Sequence, residues 1–405
     1  MKFGIALFTD VIKKKGRDRR REAGEGWASV DGEPAKRINS VTELESNVKW
    51  LTNLSYVDFF ANQLGKNPNL FYSAFMRTEL KAIAEEIGAG VEQMSSDQSA
   101  QILSTVFARV AALATDRLGV NMNLSLPNVK LLHEFIAART PSKNRIPDDV
   151  NLAMKHAYQP MTQCVTRYNR EWKSATLRRP RYQHALEVLS TPVPSEHRWV
   201  YVDNARLPDG NNERIDWCLG NDLPVLANVA VKARRGDLAE VISYNSGASV
   251  ERAWLSQPEL LWISMFCDVD VIGAFVCEDG FEYQKELDKF PQLGDFSFCS
   301  YSLGLLVENL WVAMASPRTS VVNQKFYPPR AVWYRAIDRV EMFKAAAKLH
   351  RAGFQVAGYG VGSVWLNHPP GAARDLVDAA VECGLDVPMS KYFELRNETR
   401  LGKDE

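Results

Sequence analysis

Two short stretches combine residue types that could hold a phosphorylated ligand. The first follows the apolar run Phe354–Ala357 and places three glycines in six residues, with Gly358, Tyr359, Gly360 and Gly362 as candidate binding residues. Small residues let backbone N–H groups approach a phosphate closely, and a helix beginning after the turn would favour the anion. The spacing matches neither the dinucleotide-binding fingerprint nor the P-loop. A tight turn that requires positive φ explains the same residues, so both interpretations stay open.

The second stretch is a small-residue turn from Gly247 to Ser249 that precedes Glu251. The pattern predicts a helix here, with Glu251 in its first turn. A carboxylate in that place could orient a sugar hydroxyl or protonate a leaving group. It would equally complement the positive end of the helix without any catalytic role. The sequence alone does not choose between these two interpretations.

A basic run near the amino terminus could contact an anionic partner. It contains seven lysines and arginines: Lys13, Lys14, Lys15, Arg17, Arg19, Arg20 and Arg21. Such a run is typical of a solvated arm, of a nuclear-localisation signal or of a contact with RNA or another anion. The chain as a whole has 49 basic and 49 acidic residues. This balance argues against a protein that coats nucleic acid generally, but it leaves a local basic patch open.

Other catalytic and metal-binding signatures are missing from the sequence. There is no G-x-S-x-G motif, and the six histidines lack metal-ligand spacing. The six cysteines form no C-x-x-C pair, so we expect reduced core thiols in a cytoplasmic or nuclear protein. We expect no metal and no cofactor. No apolar run reaches about 18 residues, and the amino terminus lacks the order of a signal peptide, so no membrane span is predicted.

The elements that would position these residues suggest an α/β protein, α+β overall. After an N-terminal segment (1–40) with the basic arm, residues 41–140 show helical spacing of apolar residues, which predicts a helical module. Residues 141–222 form a mixed connecting region. From 223 to 405, apolar runs such as LPVLANVAVKA, AEVISY, VDVIGAFVC and FSFCSYSLGLLV alternate with helical segments. That alternation predicts a sheet flanked by helices.

Four stretches together resemble the poly(ADP-ribose) glycohydrolase family, which has a helical accessory domain before a macrodomain-like core. They are SSDQSAQILSTVFARV (95–110, followed by LPNVKLLHEF at 126–135), GASVERAWLSQPELLWISMFC (247–267), VAGYGVGSVW (356–365) and LDVPMSKYFELRNE (385–398). The resemblance implies a macrodomain-like mixed sheet in residues 223–405. It also implies Glu251 as the catalytic acid, with Gly247 and the glycine-rich turn lining an ADP-ribose site.

The family's catalytic signature is three glycines followed by Gln-Glu-Glu, and here Arg252 and Ala253 stand beside the single Glu251. An arginine next to that carboxyl would hold it ionised, which is the wrong state for an acid. We therefore expect a non-catalytic structural or interaction protein, such as a subunit of a large assembly or a viral shell, with protein partners or self-assembly. The alternatives are an ADP-ribose glycohydrolase with a rearranged site, an ADP-ribose-binding module, or an unrelated α/β protein.

Overall fold

The computed structural model describes residues 2–9, 11–13, 21–23, 25–55, 59–60, 68–72, 84, 86, 96–118, 146–164, 171–233, 238–242, 251–283, 298–319, 325–388 and 391–392. The chain divides into two compact units. The first comprises residues 1–140, 288–310 and 388–396, and the second comprises 141–287, 311–387 and 397–405. Both units thus combine segments that are distant in sequence.

The first unit is built on a five-stranded sheet in the order β5-β4-β1-β6-β7. Its elements are β1 (Lys2–Phe8), β2 (Val11–Lys13), β3 (Arg21–Ala23), β4 (Gly26–Val30), β5 (Lys36–Ile38), a 3-10 turn (Val41–Glu43), β6 (Val48–Thr52), β7 (Leu70–Tyr72) and helix α1 (Ser96–Leu118). Strand β1 is central: it pairs antiparallel with β4 and parallel with β6. Its run KFGIALF is buried from Phe3 onward, which suits a strand covered on both faces. Helix α1 packs on β1 and β4.

The second unit contains most of the remaining elements. They are α2 (Asp148–Ala157), β8 (Thr162–Gln163), β9 (Lys173–Arg178), α3 (Arg181–Ser190), β10 (Val193–Pro194), β11 (Trp199–Val202), α4 (Asn211–Leu219), β12 (Val225–Ala233), α5 (Ala239–Ile242), β13 (Glu251–Ser256), α6 (Gln257–Phe266), β14 (Cys267–Cys277), β15 (Phe281–Glu282), α7 (Phe298–Met314), β16 (Arg318–Thr319), β17 (Lys325–Phe326), α8 (Pro329–Arg351), β18 (Gln355–Gly360), β19 (Ser363–His368) and α9 (Ala373–Glu382). Helix α7 contributes residues to both units.

Two four-stranded antiparallel sheets form the framework of the second unit, in the orders β11-β14-β12-β13 and β8-β18-β19-β9. Strand β14 buries Cys267, Val269 and Val271 while Asp268 and Asp270 are exposed, the alternation expected of a sheet with one face in solvent. The two sheets share one apolar core with α8, to which Phe343, Ala346 and Leu349 contribute.

Helix α8 is the longest element that the structure describes in the second unit. It begins at Pro329, where a proline costs no hydrogen bond, and ends before Gly353, whose φ is +93°. Most of its residues are buried, including three charged ones, Arg335, Asp338 and Arg339. Buried charges are costly unless they are paired and hydrogen-bonded, so the partners of these three side chains define the polar interior of the unit.

Several sequence predictions are confirmed. The chain is of mixed α/β class, the runs at 225–233 and 267–277 are strands, and residues 329–351 and 373–382 are helices. Among the described residues, no helix combines the length and apolarity that a membrane crossing requires. No disulfide joins the five cysteines whose side chains the structure describes, which are Cys164, Cys218, Cys267, Cys277 and Cys383.

Other predicted elements are wrong. Residues 48–52 and 70–72, for which the sequence predicts a helical module, are strands of the first sheet. The run FSFCSYSLGLLV (296–307), for which the sequence predicts a strand, is helical from residue 298 onward and belongs to α7. The segment AEVISY contains helix α5 and not a strand. Between described strands of the second unit every pairing is antiparallel, so the macrodomain-like mixed sheet is not found there. The mixed sheet belongs to the first unit.

Candidate functional site

The glycine-rich turn joins β18 to β19, so it is a β-hairpin turn and no helix follows it. Gly360 and Gly362 have φ of +136° and +63°, and Val361 between them has φ of +54°. A β-branched residue in this region is strained, and strain of that kind persists only when neighbouring groups hold it. The prediction of a turn that requires positive φ is therefore correct, and the predicted helix behind it is wrong.

A carboxylate from α8 holds this turn. Asp338 is fully buried, and its Oδ1 accepts hydrogen bonds from the Gly362 N–H at 2.8 Å and from His184 Nε2 at 2.8 Å. Its Oδ2 accepts from the Val361 N–H. These backbone N–H groups, which a bound phosphate would need, thus donate to the carboxylate of Asp338. We call these groups (His184, Asp338, Val361 and Gly362) the turn lock.

His184 lies on α3 and is closed off from solvent. Its side chain is 3% exposed and packs edge-on against Trp311, with ring centroids 6.0 Å apart. A Cβ placed on Gly362 would lie 2.7 Å from His184 Cδ2, so the turn and the imidazole fit only because residue 362 has no side chain. A histidine–aspartate pair can activate a nucleophile, but here the buried ring is used to fix the hairpin.

A second buried network lies one residue further along α8. The guanidinium of Arg339 pairs with the Glu259 carboxylate of α6 and donates to Gln159 Oε1 at 2.9 Å. Ser256 Oγ donates to Glu259 Oε2 at 3.2 Å. Burial raises the pKa of the Glu259 carboxyl, whereas the charge of Arg339 and the bonds from Arg339 and Ser256 oppose that change. Both ion-pair partners are buried and hydrogen-bonded, as a structural pair requires.

The third buried charge of α8 is Arg335. Its Nε donates to the carbonyl of Ala315 at 3.0 Å, and its guanidinium lies 5.1 Å from the centroid of the Trp311 ring. Tyr359 of β18 is also fully buried, and burial raises the pKa of its hydroxyl above the usual range. Within the described part of the chain, no group of three or more histidine, cysteine, aspartate or glutamate side chains is arranged to hold a metal ion.

The two ends of the basic run lie on short strands of the first unit that pair with each other. Strands β2 and β3 pair antiparallel with Lys13 opposite Arg21, Ile12 opposite Glu22 and Val11 opposite Ala23. The hairpin therefore brings the two ends of the basic run to adjacent backbone positions. The connecting residues 14–20 lie outside the described part of the chain. We call residues 11–23 the basic hairpin.

The structure places the other predicted site residues apart. Glu251 is the first residue of β13 and pairs with Val231, so it is not in the first turn of a helix. Gly358 is on β18, where a Cβ would lie 2.7 Å from the Thr162 carbonyl oxygen, so its smallness serves the pairing with β8. Gly247, Lys14, Lys15, Arg17, Arg19 and Arg20 lie outside the described residues.

Sequence reasoning missed the turn lock and the buried ion pair. The available signal was the segment WYRAIDRVEMF of α8, in which charged residues stand among apolar ones on a helix that is otherwise core-like. Charges at such positions indicate internal partners, because an unpaired buried charge is too costly to keep. The identity of those partners, on α3, α6 and the β18–β19 turn, follows only from the tertiary structure.

Comparison with known proteins gives neighbours in structure alone. No family model matches the sequence, and no curated protein matches it. Solved structures of Phi29 DNA polymerase are similar to this chain at low sequence identity. The complex with single-stranded DNA has a TM-score of 0.49 at 12% identity, covering 92% of this chain and 82% of the polymerase. The ternary complex with primer-template DNA and incoming nucleotide has a TM-score of 0.45 at 12% identity, with the same coverage. The likeness concerns the fold and carries no conclusion about activity.

The structure overturns the predicted family. The described strands of the second unit pair antiparallel and give no macrodomain-like mixed sheet, so the resemblance to the poly(ADP-ribose) glycohydrolases is wrong. The functions derived from it, a glycohydrolase-like structural protein or an ADP-ribose-processing enzyme, are wrong as well. The physical reason is visible at two places: Glu251 starts a strand, and the glycine-rich turn is a hairpin closed by Asp338.

Proposed function

We propose that this protein binds nucleic acid through the phosphate contacts of its basic hairpin. The observation that carries the proposal is the register of β2 and β3, which sets Lys13 directly opposite Arg21 at the ends of a run with seven positive charges and one negative charge, Asp18. Like charges at directly opposed positions destabilise a strand pair, and a two-stranded hairpin is marginal alone. A polyanion bound there would remove that repulsion.

Because the chain has no net charge, the basic hairpin is where nucleic-acid binding should be tested. Net charge is zero, so there is no general attraction to a polyanion, and binding has to come from a local concentration of cations. Each phosphate neutralised by lysine or arginine contributes about 0.9 to the logarithmic salt slope on duplex DNA and about 0.7 on a single strand. Such contacts bind without reading sequence, because the phosphates are the same in every sequence.

The experiment measures binding of labelled single-stranded DNA, duplex DNA and single-stranded RNA by fluorescence anisotropy at several salt concentrations. The test variant is the triple replacement Arg17→Gln, Arg19→Gln and Arg20→Gln. We expect the salt slope on duplex DNA to fall by about 2.7, and that on single strands by about 2.1, which is three contacts at the usual increments. The three probes show which form of nucleic acid binds best.

The matched control removes three charges elsewhere: Lys155→Gln, Lys232→Gln and Lys344→Gln. These lysines are exposed on α2, β12 and α8 of the second unit. Their replacement lowers the net charge equally, so a general effect of charge would appear in both variants. Equal slopes for the parent protein and the hairpin variant, or no binding of any probe at low salt, would overturn the proposal.

A further inference from the structure

Two arginines lie near the beginning of α8, close enough for the charge of one to act on the other. Arg318 is in β16, which pairs with β17, and Arg330 is in the first turn of α8, four residues after the end of β17. Both side chains are partly buried, with Arg330 19% exposed. Both belong to the second unit, so this pair of arginines is a feature separate from the basic hairpin.

Several donor atoms of this pair are buried without an acceptor. Nη2 of Arg318 and both Nε and Nη2 of Arg330 are shielded from solvent and make no hydrogen bond within the described part of the chain. Among the described residues, the carboxylate within ion-pair distance is that of Glu196, whose Oε1 is 3.9 Å from Arg330 Nη2. One carboxylate at that distance does not satisfy the hydrogen-bond donors of two guanidinium groups. A buried donor that loses water and gains no acceptor is destabilising, and more so when it is charged.

The electrostatics of Arg318 agree with an incomplete site. Burial, and after it the nearby positive charge of Arg330, lower the pKa of the Arg318 guanidinium to about 10, although the charge of Glu196 opposes both. Arginine is otherwise charged at every accessible pH, so a depressed value marks an environment that is unfavourable to the cation.

The start of α8 adds positive potential of its own. Pro328 occupies the N-cap without a side-chain hydrogen bond, and the first turn contains no acidic residue. A 23-residue helix therefore presents its positive end next to two cations. An acidic side chain at this end would be stabilising and a cation is the opposite, so Arg330 needs an anion close to it. Its contact with Glu196, at 3.9 Å, is too long for a hydrogen bond.

We propose that Arg318 and Arg330, together with the first turn of α8, bind an oxyanion of the phosphate class. The planar forks of arginine match a tetrahedral oxyanion, and two forks can donate to different oxygens of one phosphate. The bound anion accepts from the buried guanidinium N–H groups, cancels the repulsion between the two arginines and complements the helix end. The phosphate is either free or part of a nucleic-acid backbone.

The experiment uses inorganic phosphate as the probe. Thermal unfolding of the full chain is followed as sodium phosphate replaces sodium chloride at constant ionic strength, and 31P line broadening reports binding directly. We expect a saturable rise in the unfolding midpoint. Arg330→Gln should weaken phosphate affinity about tenfold or more, the usual worth of a charge-assisted hydrogen bond. Arg318→Lys, which keeps the charge but not the fork, should weaken it less.

Two controls separate this site from others. Arg198→Gln removes a guanidinium that is 66% exposed and already paired with Glu278 at 3.0 Å, so phosphate affinity should be unchanged. The triple hairpin variant should also bind phosphate as the parent does, which keeps a failure of the nucleic-acid proposal distinct from a failure of this one. Displacement of phosphate by single-stranded DNA would assign the site to a nucleic-acid backbone, and retention would assign it to free phosphate.

Equal protection by chloride and phosphate would overturn the proposal. So would phosphate affinity that is the same in Arg330→Gln, Arg318→Lys and the parent protein.

Discussion

Asp338 is the residue whose loss should matter most to the second unit. It is fully buried and accepts from two backbone N–H groups and from His184 Nε2. Replacement by alanine leaves three donors without an acceptor, at about 1–3 kcal/mol for each. We expect Asp338→Ala to lower the free energy of unfolding by about 3 kcal/mol or more, measured by urea denaturation with far-UV circular dichroism.

Asp338→Asn should be milder, because the amide oxygen still accepts one of these bonds. The matched control is Asp378→Ala, an exposed aspartate in the middle of α9, for which the change should stay within about 0.5 kcal/mol. Similar losses for Asp338→Ala and Asp378→Ala would show that the turn lock contributes nothing to stability.

Arg318 gives a prediction with a defined pH dependence. Its pKa is lowered to about 10 in the folded protein, below the value of an unfolded arginine, so folding works against the cation. Stability is therefore reduced below pH 10 and recovers as the pH rises through 10. Arg318→Met, which keeps the apolar stem, should raise the unfolding midpoint at pH 7 in phosphate-free buffer by roughly 2–4 °C.

Differential scanning calorimetry of Arg318→Met and the parent protein tests this. The gain should shrink when both are compared at the same high phosphate concentration, since the parent protein binds the anion more tightly and is stabilised more by it. A lower midpoint for Arg318→Met in phosphate-free buffer would contradict the prediction.

The β18–β19 hairpin requires glycine at position 362 because of its positive φ and because of its close contact with His184. Comparison with a second glycine distinguishes these two requirements. Gly362 has φ of +63° and faces His184, whereas Gly384 has φ of +66° with nothing within 4 Å of the place a Cβ would take. Alanine costs the same backbone strain at both positions, about 1 kcal/mol. Gly362→Ala should therefore be more destabilising than Gly384→Ala in urea denaturation, and the difference measures the contact with His184.

The loss in free energy of unfolding for Gly384→Ala measures the cost of backbone strain without any side-chain contact. If both alanine variants lose the same free energy of unfolding, then the imidazole moves aside without cost and the fit at Gly362 is unimportant. A larger loss at Gly362 should be accompanied by a changed fluorescence of Trp311, because that ring packs on His184.

Helices and strands are predicted correctly where the pattern of apolar residues fits only one type of element. Helices α8 and α9 and strands β12 and β14 follow from clear periodicity, and all four are found. Helix α7 was predicted as a strand because FSFCSYSLGLLV is apolar and aromatic throughout. A short apolar run has no periodicity that separates a buried helix from a buried strand. For residues 48–52 the sequence predicts a helix, but these residues form a strand that pairs parallel with both β1 and β7.

The turn lock and the ion pair between Arg339 and Glu259 could not be found from the sequence for a related reason. Asp338 and His184 are 154 residues apart, and Arg339 and Glu259 are 80 apart. A single sequence shows that a charge is in an apolar helix, but it does not show which distant group compensates that charge.

For the molecule as a whole, thiol chemistry offers a way to observe opening of the second unit. Burial raises the pKa of Cys164 and Cys218 to about 12 and that of Cys277 to about 11. Since the thiolate is the reactive form, alkylation of these cysteines at pH 8 should be roughly a thousandfold slower than for an ordinary thiol. All three lie in the second unit.

Labelling with iodoacetamide, followed by peptide mass spectrometry, measures each cysteine separately. In the native protein these three should stay unmodified, and they should react together when urea unfolds the second unit. The rate should rise tenfold for each pH unit as long as the pKa exceeds the pH. Rapid modification of Cys218 in the native protein would contradict the burial that the structure gives it.

Helix α8 also has a consequence for how this chain can change in length. Arg335, Asp338 and Arg339 reach three different segments: the Ala315 carbonyl, the β18–β19 turn and Glu259 of α6. One residue inserted or deleted before Arg335 would turn every later position by about 100° and displace it by about 1.5 Å. All three partnerships would be broken at once. Insertions and deletions are therefore not tolerated within this part of α8. They have to occur in the connections on either side of the helix.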